Sequence, residues 1–118
     1  MISKELLSEV LGRYVSKVDS FIRMREFGPC ISYSDDRYSY DINIHELAHK
    51  CKEWAIKQNY IVESEYEGIK LDGIPYAIVR VFFDGDVVFN NYSGKYIVEN
   101  HTEPEAIFKA CQWILENK

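Results

Sequence analysis

Two histidines and a glutamate near the middle of the chain have the types and the spacing to bind and activate a metal ion. His45, Glu46 and His49 form the pattern H-E-x-x-H. On a helix, residues four apart project from nearly the same side, so both imidazoles could hold one zinc ion while the glutamate acts as general base. A third protein ligand and a water would complete a catalytic tetrahedron, and His101 is the candidate for that ligand. The chemistry would be metal-assisted hydrolysis.

The helix that carries this motif is predicted to turn both histidines towards water. Apolar residues recur at three- and four-residue intervals over residues 44–58, and this core-facing stripe leaves the imidazoles on the other side. The stripe consists of Ile44, Leu47, Ala48, Cys51, Trp54 and Ala55. Glu46 has a structural explanation as well, because it stands three residues after Asn43 and can complete a capping box. We therefore expect surface histidines and assign no catalytic residue, metal or cofactor.

The five residues His45 to His49 resemble the zinc-binding helix of the zincin metalloproteases. That resemblance implies the alternative function, a small zinc-dependent hydrolase with Glu46 as its base and zinc bound by His45, His49 and His101. The pattern departs from the longer metzincin motif, which would place glycine at Lys52 and histidine at Ala55. The resemblance is therefore limited to these five residues.

Two helices and a β region between them have readable boundaries. Asn43 can cap the helix over residues 44–58, with Asn59 ending it, and Thr102 can cap a final helix that has Pro104 in its first turn. The residues between the helices are rich in Val, Ile, Tyr and Phe and predict an antiparallel meander. Its strands are predicted at residues 60–66, 75–83, 86–90 and 95–98.

Asp84-Gly85 predicts a two-residue type I′ turn in this meander, and the turn fixes which side chains share a face. One face should carry Phe82, Val87 and Phe89, and the other Val79, Val81, Phe83 and Val88. Since both faces are apolar, the helices can cover one of them, and the other needs a partner, a ligand or the N-terminal segment.

The N-terminal third is predicted to start with a short helix that Ser3 caps and Gly12 stops. Residues 14–24 read as a strand with Tyr14, Val18, Ile22 and Met24 on one face, while an extension of the helix is the alternative. Gly28-Pro29 is predicted to break the chain, and residues 31–40 to form a hairpin that turns at Asp35-Asp36. The expected fold is a single α+β domain over residues 1–118, with an antiparallel sheet of about four to six strands packed against two main helices.

Composition and charge narrow the classes of partner. A chain of 118 residues with 47% hydrophobic and 28% charged residues is typical of one globular domain. The net charge of -5 argues against nucleic acid, because affinity for phosphate comes largely from Lys and Arg. The order of helix, three strands and helix from residue 44 resembles the double-stranded-RNA-binding domain, but Glu103 and Glu105 stand where phosphate binding would favour Lys. Three cysteines that are far apart and form no C-x-x-C pair, together with the lack of a signal or membrane-spanning pattern, predict a cytoplasmic protein without a membrane partner.

Three segments of the chain resemble a group of uncharacterised small bacterial proteins that often occur in prophage or other mobile regions. The segments are KELLSEVLG, INIHELAHKCKEWAIKQNY and TEPEAIFKACQWILENK. The resemblance implies no catalytic residue, cofactor or substrate, but small mobile-element proteins frequently act by binding a host protein. We therefore expect a non-catalytic protein-binding module that uses an apolar, Tyr-containing sheet face for a protein partner or a second copy of itself.

Overall fold

The computed structural model of the chain describes residues 2–67, 76–93 and 102–118. Its elements, in chain order, are α1 (Lys4–Leu11), β1 (Lys17–Val18), β2 (Arg23–Arg25), β3 (Gly28–Ser34), β4 (Ser39–Asn43), α2 (Ile44–Lys57), β5 (Ile61–Glu67), β6 (Tyr76–Phe83), β7 (Asp86–Ser93) and α3 (Thr102–Asn117). The α+β class, the antiparallel pairing, the short N-terminal helix and the two main helices are confirmed. The strands of the described ranges divide into two sheets, of four and three strands.

Local capping chemistry sets the helix ends. The Ser3 hydroxyl accepts a hydrogen bond from Leu6 N at 3.1 Å, and α1 ends at Gly12 in the left-handed conformation, with φ 65°. Asn43 Oδ1 accepts from His45 N at 2.9 Å and from Glu46 N at 3.3 Å, which satisfies free donors in the first turn of α2. These predicted caps are confirmed. The predicted strand over residues 95–98 and the side chain of Thr102 lie outside the described part of the chain.

The first sheet is built around β3. Strand β4 pairs along one edge of β3, from Cys30↔Asn43 to Ser34↔Ser39. Strands β1 and β2 pair with opposite ends of β3, at Tyr33–Ser34 and Gly28–Cys30. Residues 14–24 are therefore extended, as the sequence analysis favoured, but they form parts of two short strands instead of one.

The interruption between β1 and β2 changes which side chains are buried. Val18 and Ile22 pack against the core, whereas Tyr14 and Met24 are 62% and 66% exposed, so the predicted common face is wrong. The predicted break at Gly28-Pro29 is also wrong, because both residues lie in β3 and the turn falls at residues 26–27. Pro29 is tolerated there because it lies near the start of β3, before the residues that pair with β4.

The second sheet has the order β5-β6-β7. Asp84 and Gly85 have φ values of 56° and 86°, as the predicted tight turn requires, and Phe83 pairs with Asp86. The register then shifts, because Phe82 pairs with Val87 while Val81 pairs with Phe89. Val88 is thus the extra residue of a β-bulge, and residues after it exchange faces.

The bulge corrects the predicted faces of this hairpin. Phe89 lies on the same face as Val79 and Val81 instead of beside Phe82, and its ring stacks on Trp113 of α3 at 5.5 Å between centroids. Val88 is 38% exposed instead of joining the buried face. The side of the sheet that meets α3 is therefore more aromatic than predicted.

One hydrophobic cluster connects the helices to both sheets. Its fully buried side chains include Leu6, Leu7, Ile31, Ile44, Leu47, Val79, Val81, Phe108 and Ile114. Because the helices cover the inner faces, the outer face of each sheet is left for other contacts. None of the helices in the described ranges has both the length and the apolar character needed to cross a membrane.

Candidate functional site

The histidine motif lies on the water-facing side of α2. His45, Glu46 and His49 are all exposed, while Leu47 and Ala48 between them are buried. The apolar stripe therefore orients the helix as predicted. His49 Nε2 lies 3.4 Å from Glu53 Oε1, and both side chains are mostly in solvent, at 76% and 60% exposure.

The described residues do not assemble the motif into a metal centre. Among them, no group of three or more His, Cys, Asp and Glu side chains is arranged to hold an ion. His101, the predicted third ligand, lies outside the described residues. A catalytic zinc also requires a sheltered surround with groups that orient each imidazole, and the exposed contact of His49 with Glu53 does not supply one. Zinc hydrolysis through Glu46 thus gains no geometric support in this region.

The outer face of the second sheet presents an aligned set of apolar side chains. The pairing Ile61↔Phe82 and Phe82↔Val87 places these three residues side by side across β5, β6 and β7. Ile61 is 61% exposed, Val87 is 49% exposed and Phe82 is half-buried. We call Ile61, Phe82 and Val87 the outer apolar row.

Alternation along the strands explains why this row faces away from the helices. Val62 and Val81, the neighbours of Ile61 and Phe82 in their strands, are 7% and 0% exposed and pack into the core. The outer apolar row therefore lies on the face opposite α3. The exposure of Ile61 was not predicted above, although strand alternation places it on the face opposite Val62.

Acidic groups surround the outer apolar row. Glu63 and Glu65 follow Ile61 on the same face of β5, and Asp84 is exposed at the β6–β7 turn. Arg80 pairs with Glu63, and its Nη1 lies 3.4 Å from Glu63 Oε1. Among the described residues, these three carboxylates outnumber this guanidinium and give the face a negative rim.

The tyrosines of residues 31–40 are used mainly for internal packing. Tyr33 and Tyr40 stack at 5.2 Å between ring centroids, and the Arg13 guanidinium lies 4.2 Å from the Tyr40 centroid. Tyr38 is the exception at 64% exposure. These tyrosines therefore leave little ring surface for a partner, whereas two of the three side chains in the outer apolar row are exposed.

Comparison of the chain with family models, with curated proteins and with solved structures yields no match.

Proposed function

We propose that this protein is a non-catalytic binding module whose outer apolar row docks on a partner protein that presents apolar side chains within a basic surround. The observation that carries the proposal is the exposure of Ile61 and Val87 in register with Phe82. Burial of apolar surface contributes roughly 25 cal/mol per Å², so a contiguous row gives a partner more than scattered exposed residues do.

The negative rim determines the charge of the partner. Lys or Arg on the partner would meet Glu63, Glu65 and Asp84, which favours encounter and selects against acidic proteins. A second copy of this chain is disfavoured at the same face, because a two-fold interface would bring identical carboxylates together. The chain as a whole also carries a net charge of -5.

The resemblance to small bacterial proteins of prophage and other mobile regions suggests which protein is the partner and where the two meet. The partner is a protein of the bacterial host, and the encounter takes place in the cytoplasm. Neither nucleic acid nor a membrane is part of the interaction, since both attract basic surfaces and the proposed docking face is acidic.

The proposal is tested by comparing capture of host proteins with and without an intact outer apolar row. Wild-type protein, Ile61→Glu and Met24→Glu are immobilised, and a protein retained by the wild type is purified for calorimetric titration. We expect Ile61→Glu to weaken the Kd at least tenfold, about 1.4 kcal/mol. Met24→Glu is the matched control, because Met24 is 66% exposed but lies in the first sheet, and it should bind as the wild type does.

Three results would contradict the proposal. One is that Ile61→Glu binds the captured protein with the same Kd as the wild type, or that it captures every protein that the wild type captures. Another is a dimer at micromolar concentration, seen by light scattering, that Ile61→Glu dissociates. The third is about one zinc per chain in protein purified without a histidine tag, lost in His49→Ala, which would favour the hydrolase instead.

A further inference from the structure

The outer face of the first sheet contains an open cleft of about 260 Å³ that is lined almost entirely by charged and hydroxyl side chains. Its lining includes Asp19, Arg23, Arg25, Ser32, Ser39 and Asp41. The register explains their convergence. Ser32 pairs with Asp41 of β4, and on its other side Ser32 O accepts a hydrogen bond from Asp19 N at 2.9 Å.

Two ion pairs fix the guanidinium groups of the cleft. Arg23 Nε lies 3.3 Å from Asp19 Oδ2, and Arg25 Nε lies 3.1 Å from Asp41 Oδ2. Asp41 Oδ1 also accepts a hydrogen bond from the Ser32 hydroxyl. Each of these ion pairs uses the Nε side of its arginine, so the terminal nitrogens keep donors for a ligand.

The balance of charge in the cleft selects the ligand. Two guanidiniums face two carboxylates, so a simple anion would gain from the arginines but would be opposed by Asp19 and Asp41. A simple cation would gain from Asp19 and Asp41 but would be opposed by the two arginines. A molecule with a carboxylate at one end and an ammonium at the other satisfies both signs, because guanidinium binds carboxylate through paired hydrogen bonds.

We propose that this cleft binds a small zwitterion of the free amino acid type, with its carboxylate on the terminal nitrogens of Arg23 and Arg25 and its ammonium on Asp19 and Asp41. The cleft lies slightly below the usual range of roughly 300–1,000 Å³ for drug-sized ligands, which suits a molecule of a few heavy atoms. Because both arginines are partly in solvent, the affinity is weak, with a Kd on the order of 1 mM. The site is separate from the outer apolar row.

The test is an NMR titration of the full-length ¹⁵N-labelled protein with each of the common free amino acids. Acetate, methylammonium and inorganic phosphate are titrated as single-charge probes. We expect at least one amino acid to cause saturable shifts of amides in β2, β3 and β4, at least tenfold more tightly than any single-charge probe.

Variants separate the cleft from other cationic sites. Arg25→Gln and Asp41→Asn should each weaken amino acid binding at least tenfold, while Arg37→Gln, in the exposed β3–β4 turn, is the matched control and should not. Retained dispersion of the spectra shows that each variant is folded, and Arg23→Gln replaces any that is not. Ile61→Glu should leave the titration unchanged, which distinguishes this site from the docking face.

Absence of saturable shifts, equal binding of phosphate or acetate, or an equal loss in Arg37→Gln would overturn the proposal.

Discussion

Asp35 shows how one side chain can organise a turn and connect it to a distant helix end. Its Oδ1 accepts hydrogen bonds from Arg37 N at 2.8 Å and Tyr38 N at 2.7 Å. Its Oδ2 accepts from Tyr40 Oη at 3.0 Å and lies 3.5 Å from Arg13 Nη2, just beyond the end of α1. The backbone N–H bonds of Tyr38 and Arg37, followed by the Tyr40 hydroxyl and the Arg13 charge, hold the pKa of Asp35 below its ordinary value of 3.8.

This lowered pKa predicts a specific dependence of stability on pH. The unfolded chain takes up the proton at higher pH than the folded one, so the contribution of Asp35 is complete above its ordinary pKa of 3.8 and is lost as pH falls through the folded value. We expect Asp35→Asn to lower Tm near neutral pH and to differ less from the wild type below about pH 4. Thermal melts followed by circular dichroism over this range measure the difference.

Asp36→Asn is the matched control at the exposed neighbouring position and should keep the pH profile of the wild type. If the difference in Tm between Asp35→Asn and the wild type is the same at every pH, the charge of the Asp35 carboxylate does not contribute to stability.

For single side chains, the sequence predicted those positions that depend only on neighbours along one helix or turn. The exposure of His45 and His49 followed from the stripe of α2 and is observed. The convergence of Asp19, Arg25 and Asp41 was not predictable, because it depends on the register between strands that are far apart in sequence.

Among the helices and strands, Gly28 makes room for a side chain that connects the β2–β3 turn to the start of α2. Its φ is +104°, and a Cβ added there would lie 2.9 Å from Asn43 Nδ2. That nitrogen donates to Phe27 O at 2.9 Å, while Oδ1 of the same side chain caps α2. The β2–β3 turn and the start of α2 therefore share one asparagine, and only glycine leaves room for it.

Replacement of this glycine should cost more than replacement of another one in the left-handed region. Gly28→Ala combines backbone strain with a steric clash and is expected to lower the free energy of unfolding by more than about 1 kcal/mol. Gly12→Ala is the control, since Gly12 has φ +65° but no atom within 4 Å of an added Cβ. Urea unfolding of both variants gives the comparison, and a loss in Gly28→Ala no larger than in Gly12→Ala would show that Asn43 can move aside.

Element boundaries were predictable where a cap or turn residue carries the information. Ser3, Gly12, Asn43 and the Asp84-Gly85 turn act through bonds and backbone angles within a few residues of themselves. The bulge at Val88 has no such local signature, because it reflects how β7 fits against β6 and α3. Strand alternation alone therefore placed Phe89 on the wrong face.

The core of the whole molecule contains all three cysteines in buried positions. Cys51 and Cys111 meet between α2 and α3, where Cys111 Sγ lies 3.5 Å from Cys51 O, while Cys30 lies in the first sheet. The hydrogen bond with Cys111 and then burial raise the pKa of Cys51, and burial is the main cause that raises the pKa of Cys30. Since the thiolate is the reactive form, the raised pKa should make Cys30 and Cys51 inert in the folded protein, and burial alone should shield Cys111 from reagents.

Thiol labelling then tests whether residues 1–118 fold as one domain. With N-ethylmaleimide in increasing urea, we expect Cys30, Cys51 and Cys111 to become reactive at a single midpoint that coincides with the loss of helical circular dichroism. Peptide mass spectrometry resolves each site, and fully unfolded protein is the control for complete reaction. Labelling of Cys30 at clearly lower urea would reveal that the first sheet unfolds separately.

The overall class could be predicted because helix and strand periodicities are strong in this chain. The division into two sheets could not, since it depends on which strands pair across long separations. β3 pairs with β1 and β2, which precede it in the chain, and with β4, which follows it, while β6 pairs with β5 and β7. The pairing around β3 creates the polar cleft, and the meander of β5, β6 and β7 creates the outer apolar row.

The extra residue in β7 has a consequence for how this protein tolerates changes in length. Deletion of Val88 would make the pairing with β6 regular, and it would leave Val87 opposite Phe82 and Phe89 opposite Val81. A regular pairing that kept Val88 would instead place Val88 opposite Val81 and turn Phe89 away from Trp113 to the other face. The fold should therefore tolerate the loss of this one residue, because the faces of the other β7 side chains do not change with it.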